Sequence, residues 1–289
     1  MHRAPTLLLA FLLGTGVAAV QPAAQTSPTA TLKPAAARSA DIPFRDAEFD
    51  AEQQLLVFAN QARQHAGAPP LTLDSGLSQA ARIHAQAMLE AKQLSHQFSG
   101  EPSLPHRLAA SSDLLLDQEG ENVALDYDAQ HGHEHLMLSP PHRANLLNPA
   151  YNVVGLGVVR SGDRLYIVQD FAHALPSYSD GEVKDRIAAA VRQMRHAASQ
   201  PELVRADLQN ADAAACSMAH ADKLGTAPVQ KLAEQFTVLT YTSVRPETLP
   251  AGTSSAIASR NLHSYSIGAC YSRTETYPTG VYWIVLTLE

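Results

Sequence analysis

Helix-forming and strand-forming patterns follow each other in the same order twice along this chain, and that order constrains the fold more than any other feature. The first half has three helical patterns and then two apolar, β-branched runs, at residues 48–66, 75–91, 129–138, 153–160 and 164–171. Ser161-Gly162-Asp163 joins the two runs as a hairpin turn would. Helices first and a hairpin last predict an α+β fold, since an α/β chain would alternate the two element types.

The second half repeats this order with two helical patterns and three strand patterns, at residues 183–198, 203–224, 236–241, 265–271 and 281–288. Short runs of residues also repeat. Gln61-Ala62-Arg63 parallels Gln193-Met194-Arg195, and Gly155–Arg160 parallels Gly268–Arg273. Two interpretations follow for residues 180–289. They are a diverged copy of the first unit, or they are an unrelated and smaller α+β domain.

The chain opens with the pattern of an export leader. Leu7–Val20 is apolar and uncharged, and at about 14 residues it is too short for a comfortable bilayer span but suits the core of a signal peptide. Val17-Ala18-Ala19 places small residues before a cut after residue 19, or at the latest after residue 24. A buried first helix is the alternative, but residues 20–45 form an Ala/Pro-rich stretch, typical of a disordered tail, that would not pack behind it.

Cleavage of that leader leaves two folded units, at residues 46–175 and 180–289, in a secreted or periplasmic protein. No later stretch approaches the length of a bilayer span, so we expect no transmembrane anchor after cleavage. The net charge of −7, with only 21 Lys and Arg residues, argues against a nucleic-acid partner, which requires a basic surface.

The chain has only two cysteines, Cys216 and Cys270, and both lie in the second unit. In an exported protein they are expected to form a disulfide that closes a loop of about 55 residues. A buried pair of free thiols is the alternative.

Groups that bind protons or metals concentrate at three places, His96, Glu121 and the stretch His131–His142. Two imidazoles and a carboxylate are the ligands of a hydrolytic zinc site. Spacing alone is weak evidence, because His-Gly-His-Glu-His is not the His-Glu-x-x-His pattern and position 137 is Met. The three histidines between 131 and 135 do not share one helix face, so hydrated surface side chains are the simpler interpretation.

A family resemblance sharpens this hypothesis. From about residue 49 to residue 172 the chain resembles a CAP domain (the SCP/TAPS or cysteine-rich secretory protein superfamily), most of all its cysteine-free bacterial branch. The matching blocks follow in order: Asn60-x-x-Arg63, Pro70-Leu71-x-x-Asp74, Leu77-x-x-Ala80, His84-Ala85-x-x-Met88, Leu94-Ser95-His96, Gly120–Ala124, Ser139–Pro149 and Tyr151–Val158. Each block is a weak motif, but all of them in order are a specific signature.

The resemblance implies an α-β-α sandwich with a cleft that holds up to two His and two acidic residues. His96 and His142 match the two histidines, and Glu121 matches the first acid. The second glutamate of many eukaryotic members falls on Ser139, a departure that removes one partner from a two-carboxylate mechanism. Such a reduced site is expected to hold Zn²⁺ or another divalent metal weakly. Glu134 lies five residues before Ser139, and we expect its side chain to point elsewhere.

Several of these residues also have structural interpretations. His84 fits a hydrogen-bonded core histidine, and Asn60 and Arg63 fit ties from the first helix to neighbouring backbone. Glu121 would serve equally as a cap that accepts backbone N–H bonds. Arg143 and Asn145 are expected to brace their loop. The Gly155-x-Gly157 pair lacks the third glycine and the following helix of a dinucleotide loop, so it predicts no cofactor.

These observations favour an exported, non-catalytic binding module whose ligand is a lipid, a cell-envelope component or a protein. The alternative is a zinc-dependent hydrolase of peptides, esters or envelope material, with His96, Glu121 and His142 as ligands and Ser139 hydrogen-bonded to the metal-bound water. Ser139 as a nucleophile is a weaker variant, because no Asp near His142 in the sequence would orient that histidine. A structural envelope protein, whose histidines merely pack, is the third possibility.

Overall fold

A computed structural model describes residues 46–289 of this protein, so the predicted leader and tail lie outside the described residues. The first unit contains five helices and four strands: α1 (Asp46–Ala66), β1 (Thr72–Leu73), α2 (Ser75–Ala91), α3 (Leu104–Ser111), β2 (Leu115–Asp126), α4 (Ala129–Leu138), α5 (Pro140–Leu147), β3 (Val153–Ser161) and β4 (Arg164–Leu175).

The second unit follows with four helices, a short 3₁₀ turn and four strands: α6 (Asp180–Ala197), β5 (Val204–Arg205), α7 (Gln209–Ala221), α8 (Ala227–Ala233), β6 (Thr237–Ser243), the 3₁₀ turn (Ala251–Thr253), α9 (Ser254–Ile257), β7 (Ser264–Ser272) and β8 (Val281–Leu288). None of the helices within residues 46–289 is long and apolar enough to cross a membrane.

The first sheet has the strand order β1-β3-β4-β2, with β1 parallel to β3 and the other pairs antiparallel. Neighbouring residues of a strand point to opposite faces. On β4, Ile167 packs with Leu55 of α1 on one face, whereas Val168 packs with Met88 of α2 on the other. Helices therefore cover both faces of the sheet, and the predicted α-β-α sandwich is confirmed.

Helix α2 begins and ends as its sequence indicates. The Asp74 side chain accepts the Leu77 N–H and caps the N-terminus, and Lys92 ends the helix in a left-handed conformation. Gly157 of β3 lies directly beneath α2, since a Cβ atom there would come within 2.2 Å of the Ala81 backbone. The absence of a side chain at Gly157 thus allows α2 and β3 to pack closely.

The outer edge of β3 is covered by side chains rather than by a strand, because β1 is only two residues long. Ser78 accepts the Leu156 N–H, Glu52 accepts the Val158 N–H and Glu48 accepts the Arg160 N–H. Buried backbone donors need such partners. The acidic face of α1 and the start of α2 thus close the sheet edge.

The second sheet has the same topology as the first, with the order β5-β7-β8-β6 and one parallel pair. A buried arginine recurs with it. Arg63 donates to the carbonyls of Pro69, Leu146, Asn148 and Tyr151. In the second unit the corresponding arginine donates to three carbonyls, and the residues involved are Arg195, Pro201, Ile257 and Ser259. This correspondence is what a duplicated unit predicts.

Two sequence predictions for the second unit were wrong in detail. The predicted helix at 203–224 is instead strand β5 followed by α7, because Val204 extends the sheet before the helix starts. The predicted alignment of Gly155 with Gly268 is also wrong, by two residues. Gly268 packs on the Ala211 backbone as Gly157 packs on Ala81, so Gly157 is the matching glycine. The Cys216–Cys270 disulfide is confirmed and ties α7 to β7.

Candidate functional site

The candidate site is built around Glu121, which lies in the middle of strand β2 rather than in a turn. Its side chain is only 4% exposed. Asp170 of β4 lies directly opposite in the sheet register and is fully buried. The cross-strand register therefore places two carboxyl groups together inside the protein, and the interpretation of Glu121 as a turn cap does not hold.

Arg107 of α3 supplies the positive charge for this acidic pair. Its guanidinium donates to a Glu121 carboxylate oxygen, and it also donates to the backbone carbonyls of His96 and Pro102 at 3.3 Å. Arg107 is 6% exposed, so the ion pair is shielded from water. Breaking one member of such a buried pair leaves an uncompensated charge, which is strongly destabilising.

His96 connects the buried pair to the surface. Its Nδ1 lies 2.9 Å from the second oxygen of Glu121, while its side chain is 59% exposed. A histidine whose Nδ1 is held by a carboxylate presents its Nε2 outwards in a fixed orientation. His96 is thus the exposed end of a series of hydrogen bonds that continues into the interior through Glu121.

His142 lies beside His96, with the two ring centroids 6.4 Å apart. It sits on the first turn of α5, and Asn122 donates to its backbone carbonyl at 3.0 Å. Asn145 in turn donates to the Asn122 side chain and to the Glu121 carbonyl. The buried amides of this network therefore fix the start of α5 against strand β2.

The charge states of this cluster follow from burial. Burial raises the pKa of the Asp170 carboxyl well above its ordinary value, and the Glu121 charge raises it further. Neither Asp170 oxygen has a hydrogen-bond partner among the described residues, which suits a neutral, protonated carboxyl rather than a buried charge. The pKa of His142 is lowered, first by its burial and then by the neighbouring His96.

His84 and Glu101 form the floor of the cluster. His84 is fully buried, with Nδ1 2.6 Å from Glu101 and Nε2 2.8 Å from the Ser95 carbonyl. Its Nε2 is also 3.8 Å from Glu121. His84 is thus the hydrogen-bonded core histidine that the sequence suggested. It also belongs to the charged cluster of the candidate site.

The contacts of Glu121 do not suit a zinc ion held by His96, Glu121 and His142. Both Glu121 oxygens already have partners, and one partner is the permanently charged Arg107. Within residues 46–289, no three His, Cys, Asp or Glu side chains are arranged as a metal-binding group. A metal ligated by these residues would have to displace an existing contact, and metal binding stays a prediction of the sequence.

The other residues singled out in the sequence lie around this cluster. Ser139 joins α4 to α5, three residues before His142, and its side chain does not cap α5. Glu134 accepts a hydrogen bond from Gln130 on the exposed side of α4. His131 and His135 bond to Asp128 and Asp126 and are more than half exposed. His133 is half-buried and packs against Phe58.

Sequence reasoning did not identify Arg107, Asp170 or Glu101 as members of the site. Arg107 is separated from Glu121 by 14 residues, and no local pattern connects the two. Asp170 did carry a signal, because it interrupts the buried apolar run of β4. An acidic residue inside such a run requires a partner in the interior.

The comparisons with known proteins concern the first unit. Residues 57–171 match the model of the CAP family, described as the cysteine-rich secretory protein family. The protein YkwD of Bacillus subtilis is 33% identical over 115 residues, which are 38% of this chain and 43% of the relative. The chain therefore spans less than half the length of this relative.

Several solved structures resemble parts of the chain. An extracellular protein with an SCP domain from Bacillus anthracis is 26% identical, with a TM-score of 0.41, over 44% of this chain and 41% of that chain. A cysteine-rich secretory protein from Staphylococcus aureus is 21% identical, with a TM-score of 0.36, over 44% and 40% of the two chains. The structure of Na-ASP-1 is 8% identical, with a TM-score of 0.47, over 84% and 90%.

Proposed function

We propose that this chain, whose residues 57–171 are a CAP domain, is an exported protein that binds a polar component of the cell envelope in the cleft of its first unit. The binding groups are the exposed imidazole of His96 and the half-buried imidazole of His142. The second unit has lost the corresponding groups and carries no such site.

One observation carries this proposal: the exposed imidazole of His96 is held in place from the interior. Glu121 orients the ring through Nδ1, and Arg107 fixes Glu121 in turn. A side chain that is both exposed and fixed loses little conformational freedom when it binds, and such preorganisation increases affinity. Hydroxyl and amide groups of an envelope polymer are suitable partners for imidazole nitrogens.

The same geometry favours binding over hydrolysis. Among the described residues, the ring of His96 is hydrogen-bonded to Glu121 and to no Ser, Thr or Cys side chain that would act as a nucleophile.

The site is absent at the matching positions of the second unit. The cross-strand pair Glu121 and Asp170 corresponds to Val238 and Thr287, since both pairs hold the same register in their sheets. The Leu146 and Ile257 carbonyls accept from the buried arginines of the two units. His142 and Thr253 each lie four residues before these carbonyls, so Thr253 corresponds to His142. These substitutions support a binding role for the first unit alone.

Export is supported by two observations. The leader pattern at residues 1–19 is that of a signal peptide, and the Cys216–Cys270 disulfide persists only in an oxidising compartment. Fractionation of a producing cell tests this part, and the mature protein is expected outside the cytoplasm with an N-terminus between residues 20 and 25.

Binding to purified cell-wall polymer tests the proposed function. The double variant His96→Ala/His142→Ala is expected to lose at least tenfold in affinity, whereas the control His131→Ala/His135→Ala removes two exposed histidines outside the cleft and is expected to bind normally. Anionic phospholipid vesicles serve as the second probe. Equal binding by both double variants would contradict the proposal, and turnover of peptides or esters with bound zinc would favour the hydrolase.

A further inference from the structure

We infer that the second unit holds the binding site of the first unit in place through Arg273, which caps the helix that carries Arg107. Arg273 follows strand β7 directly. This inference deepens the proposed function and rests on it for the importance of the cleft, but the contacts that carry it are independent of any ligand.

Arg273 reaches across the boundary between the units to the C-terminal end of α3. It donates to the Ala109 carbonyl at 2.9 Å and to the Ser112 carbonyl at 2.6 Å, with a further contact to Leu114 at 3.5 Å. The last carbonyls of a helix have no partners within the helix, and a cation there also complements the helix dipole. An arginine of the second unit therefore completes a helix of the first.

Helix α3 needs such support because it is only eight residues long. Helices of this length are unstable without tertiary contacts. Its buried face is provided mainly by Leu108 and Arg107, the only buried residues of the helix. Leu108 packs against the sheet, while Arg107 enters the charged cluster.

The position of α3 determines the charge balance of the cleft. Arg107 donates both to Glu121 and to the His96 carbonyl, so a shift of α3 would withdraw the guanidinium from the Glu121–Asp170 pair and release the segment that carries His96. Arg273 is thus a positioning residue, which acts on the cleft through Arg107 without touching it.

One other contact from the second unit reaches α3, a surface pair of His106 with the exposed Glu275 at 3.5 Å. The remaining contacts at this boundary involve β2. Leu115 of β2 packs into the core of the second unit, and Thr279 donates to the buried Leu116 carbonyl. Arg245 pairs with Asp117, which His173 also contacts at 2.6 Å. Arg245 therefore offers a matched control, since it is an arginine of the second unit that pairs with β2 instead of α3.

The experiment compares full-length Arg273→Met and Arg245→Met proteins without ligand. In R273M, the amides of residues 104–112 are expected to exchange hydrogen at least tenfold faster, and the ring resonances of His96 in histidine-labelled protein are expected to shift. R273K is expected to recover part of both, because an ammonium group still donates to the helix carbonyls. R245M is expected to change neither α3 nor His96.

Two results would overturn the inference. In the first, R273M folds with unchanged α3 exchange and unchanged His96 resonances. In the second, R245M produces the same changes as R273M, which would indicate a general loosening of the boundary. If R273M does not fold, R273K decides by the same two readouts. Because these measurements need no ligand, a failed binding experiment would leave the outcome intact.

Discussion

At the scale of single residues, the charge cluster under the cleft is the most unusual feature of the protein. Glu121 and Asp170 are buried side by side, and Arg107 is the cation that contacts Glu121 directly. Two like charges in such a place cannot both persist, so one carboxyl retains its proton. Asp170 is that carboxyl, since it is the more deeply buried of the two and lacks a donor.

Asp170→Asn tests this assignment through pH. The raised pKa of Asp170 means that the folded protein binds this proton more tightly than the unfolded chain. The free energy of unfolding therefore falls as pH rises from about 4 through the raised folded value, by about 1.4 kcal/mol for every unit by which the pKa is raised. D170N removes that loss. In urea unfolding, its free energy of unfolding is expected to depend less on pH than that of wild type and to be higher at pH 7.

Asp126→Asn is the matched control, because Asp126 is also a buried β2 carboxylate but accepts bonds from His135 and from the Tyr127 N–H. D126N is expected to reduce stability near pH 7. If D170N were less stable than wild type at neutral pH, the protonated state assigned to Asp170 would be wrong.

Arg63 gives a second prediction at the residue scale. Its guanidinium is fully buried and is bound to four carbonyls, of which that of Asn148 also accepts the Tyr151 N–H. Arg63→Met removes those four hydrogen bonds from carbonyls in the interior, and the free energy of unfolding is expected to fall by about 3–5 kcal/mol. Urea denaturation measures the change, and a loss below about 1 kcal/mol would contradict the structural role.

Sequence reasoning singled out the residues that lie in motifs of the family resemblance. The structure brings His96, Glu121 and His142 together as the resemblance implies, and Asn60 and Arg63 are the backbone ties expected of them. Arg107 and Asp170 were not singled out because neither lies in a motif of the resemblance. Their contacts depend on how α3 and the strands pack, which no local pattern records.

At the scale of elements, both units have an ion pair between two helices at the edge of the sheet, but the acidic and basic residues are exchanged between the helices. Glu52 of α1 pairs with Arg82 of α2 and accepts the Val158 N–H of the sheet edge. At the matching positions, Lys184 pairs with Asp212, and Asp212 accepts the Ala269 N–H. The carboxylate has changed helix, but it still satisfies the same edge donor.

A charge exchange in the first unit tests this equivalence. Glu52→Lys alone places two cations together beside an unpaired N–H, and the free energy of unfolding is expected to fall by more than about 2 kcal/mol. Adding Arg82→Asp reproduces the arrangement of the second unit and is expected to recover at least half of the loss. A double variant no more stable than E52K would show that the two positions are not equivalent.

Element boundaries were predictable where capping and breaking residues mark them. Pro140 and Pro141 stop α4 at Leu138, and the β3–β4 hairpin lies where its turn signal indicates. The two-residue strands β1 and β5 were missed, since they are too short for any periodicity and form only through pairing with β3 and β7.

At the scale of the whole molecule, the disulfide stabilises the unit that lacks the site. It joins α7 to β7 across 54 residues, and the loop-entropy relation gives about 4 kcal/mol for a loop of this length. Cys216→Ser/Cys270→Ser is therefore expected to lose about 2–4 kcal/mol from the unfolding of the second unit. Wild type under reducing conditions is the control, and an unchanged transition would contradict this role.

The central claim is that the protein recognises its ligand through the cleft of the first unit, and a hydrogen-exchange footprint with bound cell-wall fragments tests it most directly. We expect slower exchange at residues 95–97, 120–122 and 139–145, the segments that carry and fix His96, Glu121 and His142, with no change in residues 180–289. Protection confined to the second unit, or none in those three segments while the fragments are bound, would contradict the claim.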